Sequence, residues 1–320
     1  MRRATQGAPL ESLAGDKRVG VLGATSLVGD CLLPLLAAAG WGVVAFSRRA
    51  AGRSIAAGPL VEWRSLEVGV PDGALGFAPG ASPIAYWVCL APVWVLPNHF
   101  QLLERLGARR VVALSSTSVF TKEHSPDAAE RALARRLAEG ESQLLGWARA
   151  RGIETTILRS TMIYGLGKDK NITTIARFIG RFGFFPLLAP AQGLRQPVHA
   201  ADVASACVAA LGRTHVPQLA YNLSGGETLT YREMVARVFS AMHKPVRFLM
   251  LPAWLARMAL TGLRALPRFR HWSPQMAERM NVDLVFSHTD AARDLGFAPR
   301  RFVLGSAELP EARGVRAPAW

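Results

Sequence analysis

The run "VGVLGATSLVGDCLLPLL", Val19 to Leu36, constrains the fold more than any other part of the chain. A short apolar strand, Val19–Leu22, meets a glycine turn, and an apolar helix over Val28–Ala39 follows. Gly23 stands where the strand ends and a tight turn needs a residue without a Cβ. Gly29 falls on the first helical turn, where helix and strand must pack closely. Ser26 lies between them, where such turns usually carry a middle glycine. Amides at a helix N-terminus, with the helix dipole behind them, attract a pyrophosphate. The stretch therefore reads as a dinucleotide seat lined by Gly23, Thr25, Ser26, Leu27, Val28 and Gly29.

Apolar strands and helical patterns alternate up to about residue 165. Strands are expected at Trp41–Arg49, Pro83–Pro92, Arg109–Phe120 and Ile153–Gly165, with helices at Phe100–Leu106 and about Pro126–Arg151. Such alternation predicts a parallel sheet covered on both faces, and right-handed crossovers make it doubly wound. The fold class is α/β: a Rossmann-type doubly wound parallel sheet with a smaller C-terminal α+β substrate lobe. Residues 17–165 form the cofactor domain and 166–320 mainly the second lobe, with 194–212 packing back on the first; 1–16 read as a loose tail. Leu90, Ala91, Pro92 and Ser115, near strand ends, are expected to flank the cofactor. The second strand ends in Ser47–Arg48–Arg49 rather than in an acid. An acid there bonds the ribose hydroxyls of NAD, whereas arginine pairs with the 2′-phosphate of NADP, so NADP is the expected cofactor and NAD the alternative.

The formal net charge of +15 raises a nucleic-acid or membrane-surface partner. The arginines, however, come as scattered pairs without interleaved aromatics, unlike a base-stacking groove, so no nucleic-acid partner is expected. An acidic, phosphate-bearing small ligand suits the same charge. Cys31, Cys89 and Cys207 lie far apart in apolar contexts with no metal spacing, as suits buried thiols in a reducing cytoplasm. No signal-peptide core or membrane span is apparent, and no metal site is expected. The apolar, basic, proline-bracketed segment "FLMLPAWLARMALTGLRALPRF" reads as a buried helix of the second lobe, or as an interfacial helix in peripheral contact with a membrane.

Taken in order, "GATSLVG", "SSTSVF", "ILRSTMIYG", "RQPVHAADVA" and "YNLSGGETLT" resemble the extended short-chain dehydrogenase/reductase family, in its NAD-dependent epimerase/dehydratase branch, over about residues 17–304. The resemblance implies a Rossmann cofactor domain and a substrate lobe that typically binds a nucleotide sugar. It places the family's hydroxyl residue at Ser116, with Thr117 and Ser118 as neighbours. It matches Arg195 to a position that often contacts a nucleotide diphosphate, and His199 with Asp202 to the following strand-to-helix junction, where Asp202 is expected to N-cap the helix. Asn171 is a further substrate candidate, or a loop cap.

The family's Tyr-x-x-x-Lys pair is missing from the expected helix. Aligning Glu141 with the glutamate that follows the family's lysine puts Leu137 at the lysine site and Leu133 at the tyrosine site. Tyr164 and Lys168 carry the same spacing, but two glycines lie between them, each costing about 1 kcal/mol in a helix. Two functions remain open. One is an epimerase, dehydratase or reductase acting by hydride transfer, with Ser116 or Thr117 on the substrate hydroxyl and Tyr164 or water replacing the missing tyrosine. The other is a catalytically inactive NADP-binding sensor or assembly module, working with a protein partner or as a homodimer.

Overall fold

The computed structural model describes residues 17–48, 60–66, 82–213, 216–252, 254 and 278–310. The tail expected over 1–16, Arg49, and most of the apolar segment that begins at Phe248 lie outside the described residues.

In chain order the first half contains β1 (Arg18–Leu22), α1 (Leu27–Ala38), β2 (Gly42–Ser47), β3 (Val61–Ser65), β4 (Tyr86–Cys89), α2 (Phe100–Arg105), β5 (Arg110–Ser116), α3 (Ser118–Thr121), α4 (Ala128–Arg151) and β6 (Glu154–Ser160). Then come β7 (Ile163–Tyr164), α5 (Ile172–Phe182), β8 (Phe185–Leu188), β9 (Leu194–Arg195), β10 (Val198–His199), α6 (Ala200–Gly212) and β11 (Ala220–Leu223). The chain continues with β12 (Leu229–Thr230), α7 (Tyr231–Ala241), β13 (Phe248–Leu251) and α8 (Thr289–Leu295). Seven strands form one sheet in the order β3-β2-β1-β4-β5-β6-β11, and each neighbouring pair is parallel. This is the doubly wound order in which ligands lie beyond the carboxyl ends of the strands.

The two faces of the sheet are written into alternate residues. Val19, Val21, Val43, Ala45, Val88 and Val112 point to one side, where they pack with Leu32 of α1 and Val203 and Cys207 of α6. Leu22, Val44, Phe46, Trp87 and Val111 point to the other, against Leu103 of α2 and Leu137 and Leu144 of α4. A third cluster, including Ile175, Ile179, Leu187, Val235, Phe239 and Phe302, forms the core of the second lobe.

Several expected strands are shorter than their apolar runs. The run to Phe120 leaves the sheet after Ser116 and coils into the single turn α3. Ile153–Gly165 breaks in two, because β7 departs to pair with β10. The helix after β10 is N-capped by His199, whose Nδ1 accepts the Ala201 amide at 3.1 Å. This corrects the expectation for Asp202, which instead lies in the first turn and binds Arg300 through its amide at 3.0 Å and its guanidinium at 2.8–3.1 Å. The capping box at Thr230 and Glu233 forms as its sequence implies. Among the described residues, no helix is long and apolar enough to cross a membrane.

Helix α1 can start so close to β1 only because Gly29 lacks a side chain: a Cβ there would lie 2.1 Å from the Ala24 carbonyl oxygen. That neighbour is backbone, so relief requires the helix to move. Gly29→Ala is expected to lower stability by at least about 3 kcal/mol. Urea unfolding measures this, and an unchanged midpoint would show that α1 is not docked by this contact.

Candidate functional site

The carboxyl ends of β1, β2, β4 and β5 converge on the start of α1. Gly23 turns the chain there with φ +76°, and a Cβ on it would meet the Ala91 amide nitrogen at 2.6 Å. The turn after β1 and the loop after β4 thus touch backbone to backbone, and Leu90 donates its amide to the Leu22 carbonyl at 2.8 Å. Ser26 caps α1, its Oγ accepting the Gly29 amide at 3.1 Å. Among the described residues, the Leu27 and Val28 amides, at the first two helical positions, find no acceptor. These donors and the dipole of α1 fit a pyrophosphate, with Ser26 taking the place of the usual glycine by spending one amide on its own hydroxyl. On the adjoining strand Thr25 Oγ1 and Ser47 Oγ lie 3.0 Å apart, and the exposed Arg48 follows directly. Ala91 and Pro92 border the same edge, half-buried and exposed respectively.

At the end of β5 three consecutive hydroxyls have three different partners. Ser115 donates to Glu141 Oε1 at 2.6 Å. Ser116 Oγ accepts the Ser118 amide at 3.1 Å, which leaves its own proton for another acceptor. Thr117 is buried and donates to the Ser160 carbonyl at 3.3 Å. Of the three, the half-buried Ser116 has the geometry to hold a ligand hydroxyl.

Helix α4 beside them carries no proton-transfer group at the two expected positions. Leu137 is 4% exposed within the sheet's core, and Leu133 packs against the same cluster. One turn further on, buried Glu141 binds Ser115 and also Arg159 of β6, whose Nε lies 3.1 Å from both carboxylate oxygens. The Arg159 guanidinium lies over the Phe120 ring at 4.9 Å. The buried carboxylate and the half-buried guanidinium thereby lock the ends of β5 and β6 to α4.

Tyr164 and Lys168 do not share a helix face. Gly165, Leu166 and Gly167 have φ values of 134°, 54° and 59°, so the chain between them is a left-handed turn. Lys168 pairs with Asp30 of α1 at 2.6 Å. Tyr164 is fully buried, edge-on to His199 at 5.1 Å and to Phe302 at 4.9 Å. Burial pushes its phenol up to about 12, so in this position it keeps its proton at neutral pH.

The substrate candidates of the second lobe are also placed apart from one another. Arg195 is buried and donates to the Leu194 carbonyl at 2.7 Å, the Val282 carbonyl at 2.6 Å and the Arg279 carbonyl, so its guanidinium fastens the 279–282 segment. Asn171 is exposed at the start of α5, where Asp169 rather than Asn171 takes up the free amides, at 2.8 Å from Asn171 N and 3.3 Å from Thr173 N. His199 serves as the helix cap already described, with Nε2 3.7 Å from Glu308.

A group missed by the sequence lies on the same side as Ser116. Lys122, just after α3, and Arg279 both approach Glu130, at 3.9 Å and 2.9 Å. Two cations share one carboxylate, and burial followed by the Arg279 charge pulls the Lys122 amine below its ordinary value. Such an arrangement suits an incoming anion. Lys122 stands in a polar loop with no motif of its own, so only spatial proximity reveals it. Of the three cysteines expected to be buried, Cys89 and Cys207 are, and burial pushes their thiols up to about 12; Cys31, on α1, is only half-buried, and its thiol is raised by the same cause.

Residues 98–224 match the model of the NAD dependent epimerase/dehydratase family. A UDP-glucose 4-epimerase of Vibrio cholerae is 25% identical over 121 residues, 38% of this chain and 37% of that protein. NADH dehydrogenase [ubiquinone] 1 alpha subcomplex subunit 9, mitochondrial, of Arabidopsis thaliana is 30% identical over 111 residues, 32% of this chain and 26% of that protein. The chain thus matches well under half the length of either curated relative. In fold, a UDP-glucose 4-epimerase of Thermus thermophilus, solved in complex with NAD, superposes with a TM-score of 0.65 at 19% identity, over 91% of this chain and 96% of that one. The chain resembles the epimerase/dehydratase branch in sequence over its middle and in architecture over nearly its whole length.

His199 also gives the lobe junction a pH dependence. Burial holds its imidazole below the ordinary 6.5, as it does that of His288. The unfolded chain therefore binds more protons than the folded one, and stability is full above about 6.5 and lost as pH falls through the lower folded value. His199→Asn keeps a capping acceptor and removes the proton site. Chemical unfolding at a series of pH values is expected to show a shallower acid loss in the variant; identical slopes would place the titration elsewhere.

Proposed function

We propose that this chain binds a nicotinamide dinucleotide, NADP in preference to NAD, along the carboxyl edge of the seven-stranded sheet, and receives a nucleotide-sugar-like ligand in the adjoining cleft. The observation that carries this is the start of α1, where the Leu27 and Val28 amides stand without acceptors beside the Gly23 turn. Arg48, at the end of β2, supports the 2′-phosphate. Lys122 and Arg279, sharing Glu130, support the ligand's phosphates, and the nucleotide-sugar epimerases among the relatives point to the same ligand class.

When bound, the nicotinamide supplies a hydride donor or acceptor. The chain's own part is to hold the pyrophosphate at α1, to present the Ser116 hydroxyl to a ligand oxygen, and to keep both in register through the Ser115–Glu141–Arg159 lock. Among residues 133 and 137 of α4 and Tyr164, none is set to release a proton, so the positions that the family resemblance points to supply none.

A second reading is favoured by Leu137, whose burial in the sheet's core makes the proton-transfer position part of the scaffold. On that reading the protein holds NADP as a sensing or structural ligand and acts by assembly, a role for which the NADH dehydrogenase subunit is the relevant relative.

Titration with NADPH and NADH tests the proposal. NADPH is expected to bind more tightly, and Arg48→Ala to weaken NADPH by about ten- to a hundredfold, the loss of one charge-assisted contact, with little change for NADH. If neither nucleotide binds below millimolar concentration, both readings fail. If NADPH binds and mixing with nucleotide sugars never changes nicotinamide absorbance, the assembly reading replaces the catalytic one.

A further inference from the structure

The positive charge of the chain is not spread evenly. No aspartate or glutamate occurs between Asp169 and Asp202, nor between Glu233 and Glu278, although both stretches carry several arginines and lysines. The fold brings these two acid-free stretches together: β13 runs parallel to β8, with Phe248 opposite Phe185 and Leu251 opposite Leu188. Phe185 donates its amide to the Arg247 carbonyl at 3.0 Å, and Lys244 Nζ reaches the Gly180 carbonyl at 3.4 Å, which lays the 244–251 segment along the end of α5.

The face so formed is both apolar and cationic. Phe182 is 51% exposed, Leu249 48% and Trp254 64%, and Val246 and Met250 are exposed in the same 246–254 stretch. Arg177, Arg181 and Arg247 are exposed on the same elements, and the Arg181 guanidinium covers the Phe182 ring at 5.4 Å. On the inner side Phe178 packs against both Phe182 and Phe185, so the exposed rings are anchored in the core of the lobe.

We infer that this α5–β13 face docks on an anionic lipid surface. Exposed Trp, Phe, Leu and Met ringed by arginine are the composition of an interfacial segment, in which the apolar groups enter the headgroup boundary and the guanidinium groups meet lipid phosphates. A second copy of the chain is a poor occupant, since a self-complementary contact would set the same cations face to face with no acid in either stretch to neutralise them. The inference is independent of whether the cofactor edge supports turnover.

Vesicle flotation with the full chain tests it. The protein is expected to float with vesicles containing phosphatidylglycerol, to remain behind with pure phosphatidylcholine, and to be released by high salt. Replacing Arg181 and Arg247 together by glutamine is expected to weaken binding roughly thirtyfold, at about 1 kcal/mol per cation. Phe182→Ser with Trp254→Ser is expected to weaken it at least as much while NADPH binding stays unchanged, and the arginine pair, whose side chains are exposed, is expected to leave the thermal midpoint unchanged. Absence of flotation, or equal flotation on neutral vesicles, overturns the inference. So does a lipid-free dimer in sedimentation equilibrium that these same variants dissolve, because a second copy would then cover the face.

Discussion

The approach of Gly29 to the Ala24 carbonyl is the contact on which the carboxyl edge of the sheet depends. It lets α1 begin almost on top of β1, and that closeness aims the first amides of the helix at the end of the sheet. The parallel order of β2, β1, β4 and β5 then brings Ser47, the Leu90–Pro92 loop and the Ser115–Thr117 hydroxyls to the same side without any further device. Ser26 shows the small cost of departing from glycine. Its hydroxyl stabilises the helix start by consuming one amide, and two remain for a ligand.

The other half of the candidate site depends on α4, where the chain separates scaffolding from chemistry. Glu141 still ties β5 and β6 to the helix, so the frame is intact. One turn earlier, Leu137 belongs to the hydrophobic core of the sheet. A lysine placed there would lose hydration and need a partner the core does not supply. The polar groups that stand outside that core are Ser116 and the Lys122–Glu130–Arg279 group.

The sheet and its first helix were legible from the sequence because strand alternation and the glycine turn are local signals. The edge strand β3, "VEWRS", was not, since an edge faces water and keeps polar residues. Nor was β8, whose "FPLL" contains a proline that a strand admits only at an edge. Helix α5 hid behind its β-branched start, although Ile172, Ile175, Ala176 and Ile179 carry the helical stripe. In the candidate site, the glycine turn at Gly23 is a local signal, whereas Leu133 and Leu137 are singled out only by the family resemblance, through the alignment of Glu141. The role of Arg195 was not legible, because its backbone partners at 279 and 282 are more than eighty residues away. His199 exchanged roles with Asp202 for a similar reason: Asp202 is claimed by Arg300, far along the chain.

That last contact orders events in time as well as in space. Asp202 and Arg300, Ser224 and His288, and Tyr221 and Asp294 bind the late segment 288–300 to α6 and to β11, the outermost strand of the sheet. A ribosome releases residues from the N-terminus onward. Strands β1 to β6 therefore leave it before the 288–300 clasp that fixes the far edge of the sheet. The frame of the sheet thus precedes the segment that fastens its flank, and α6 gains its ion pair only after residue 300 has emerged.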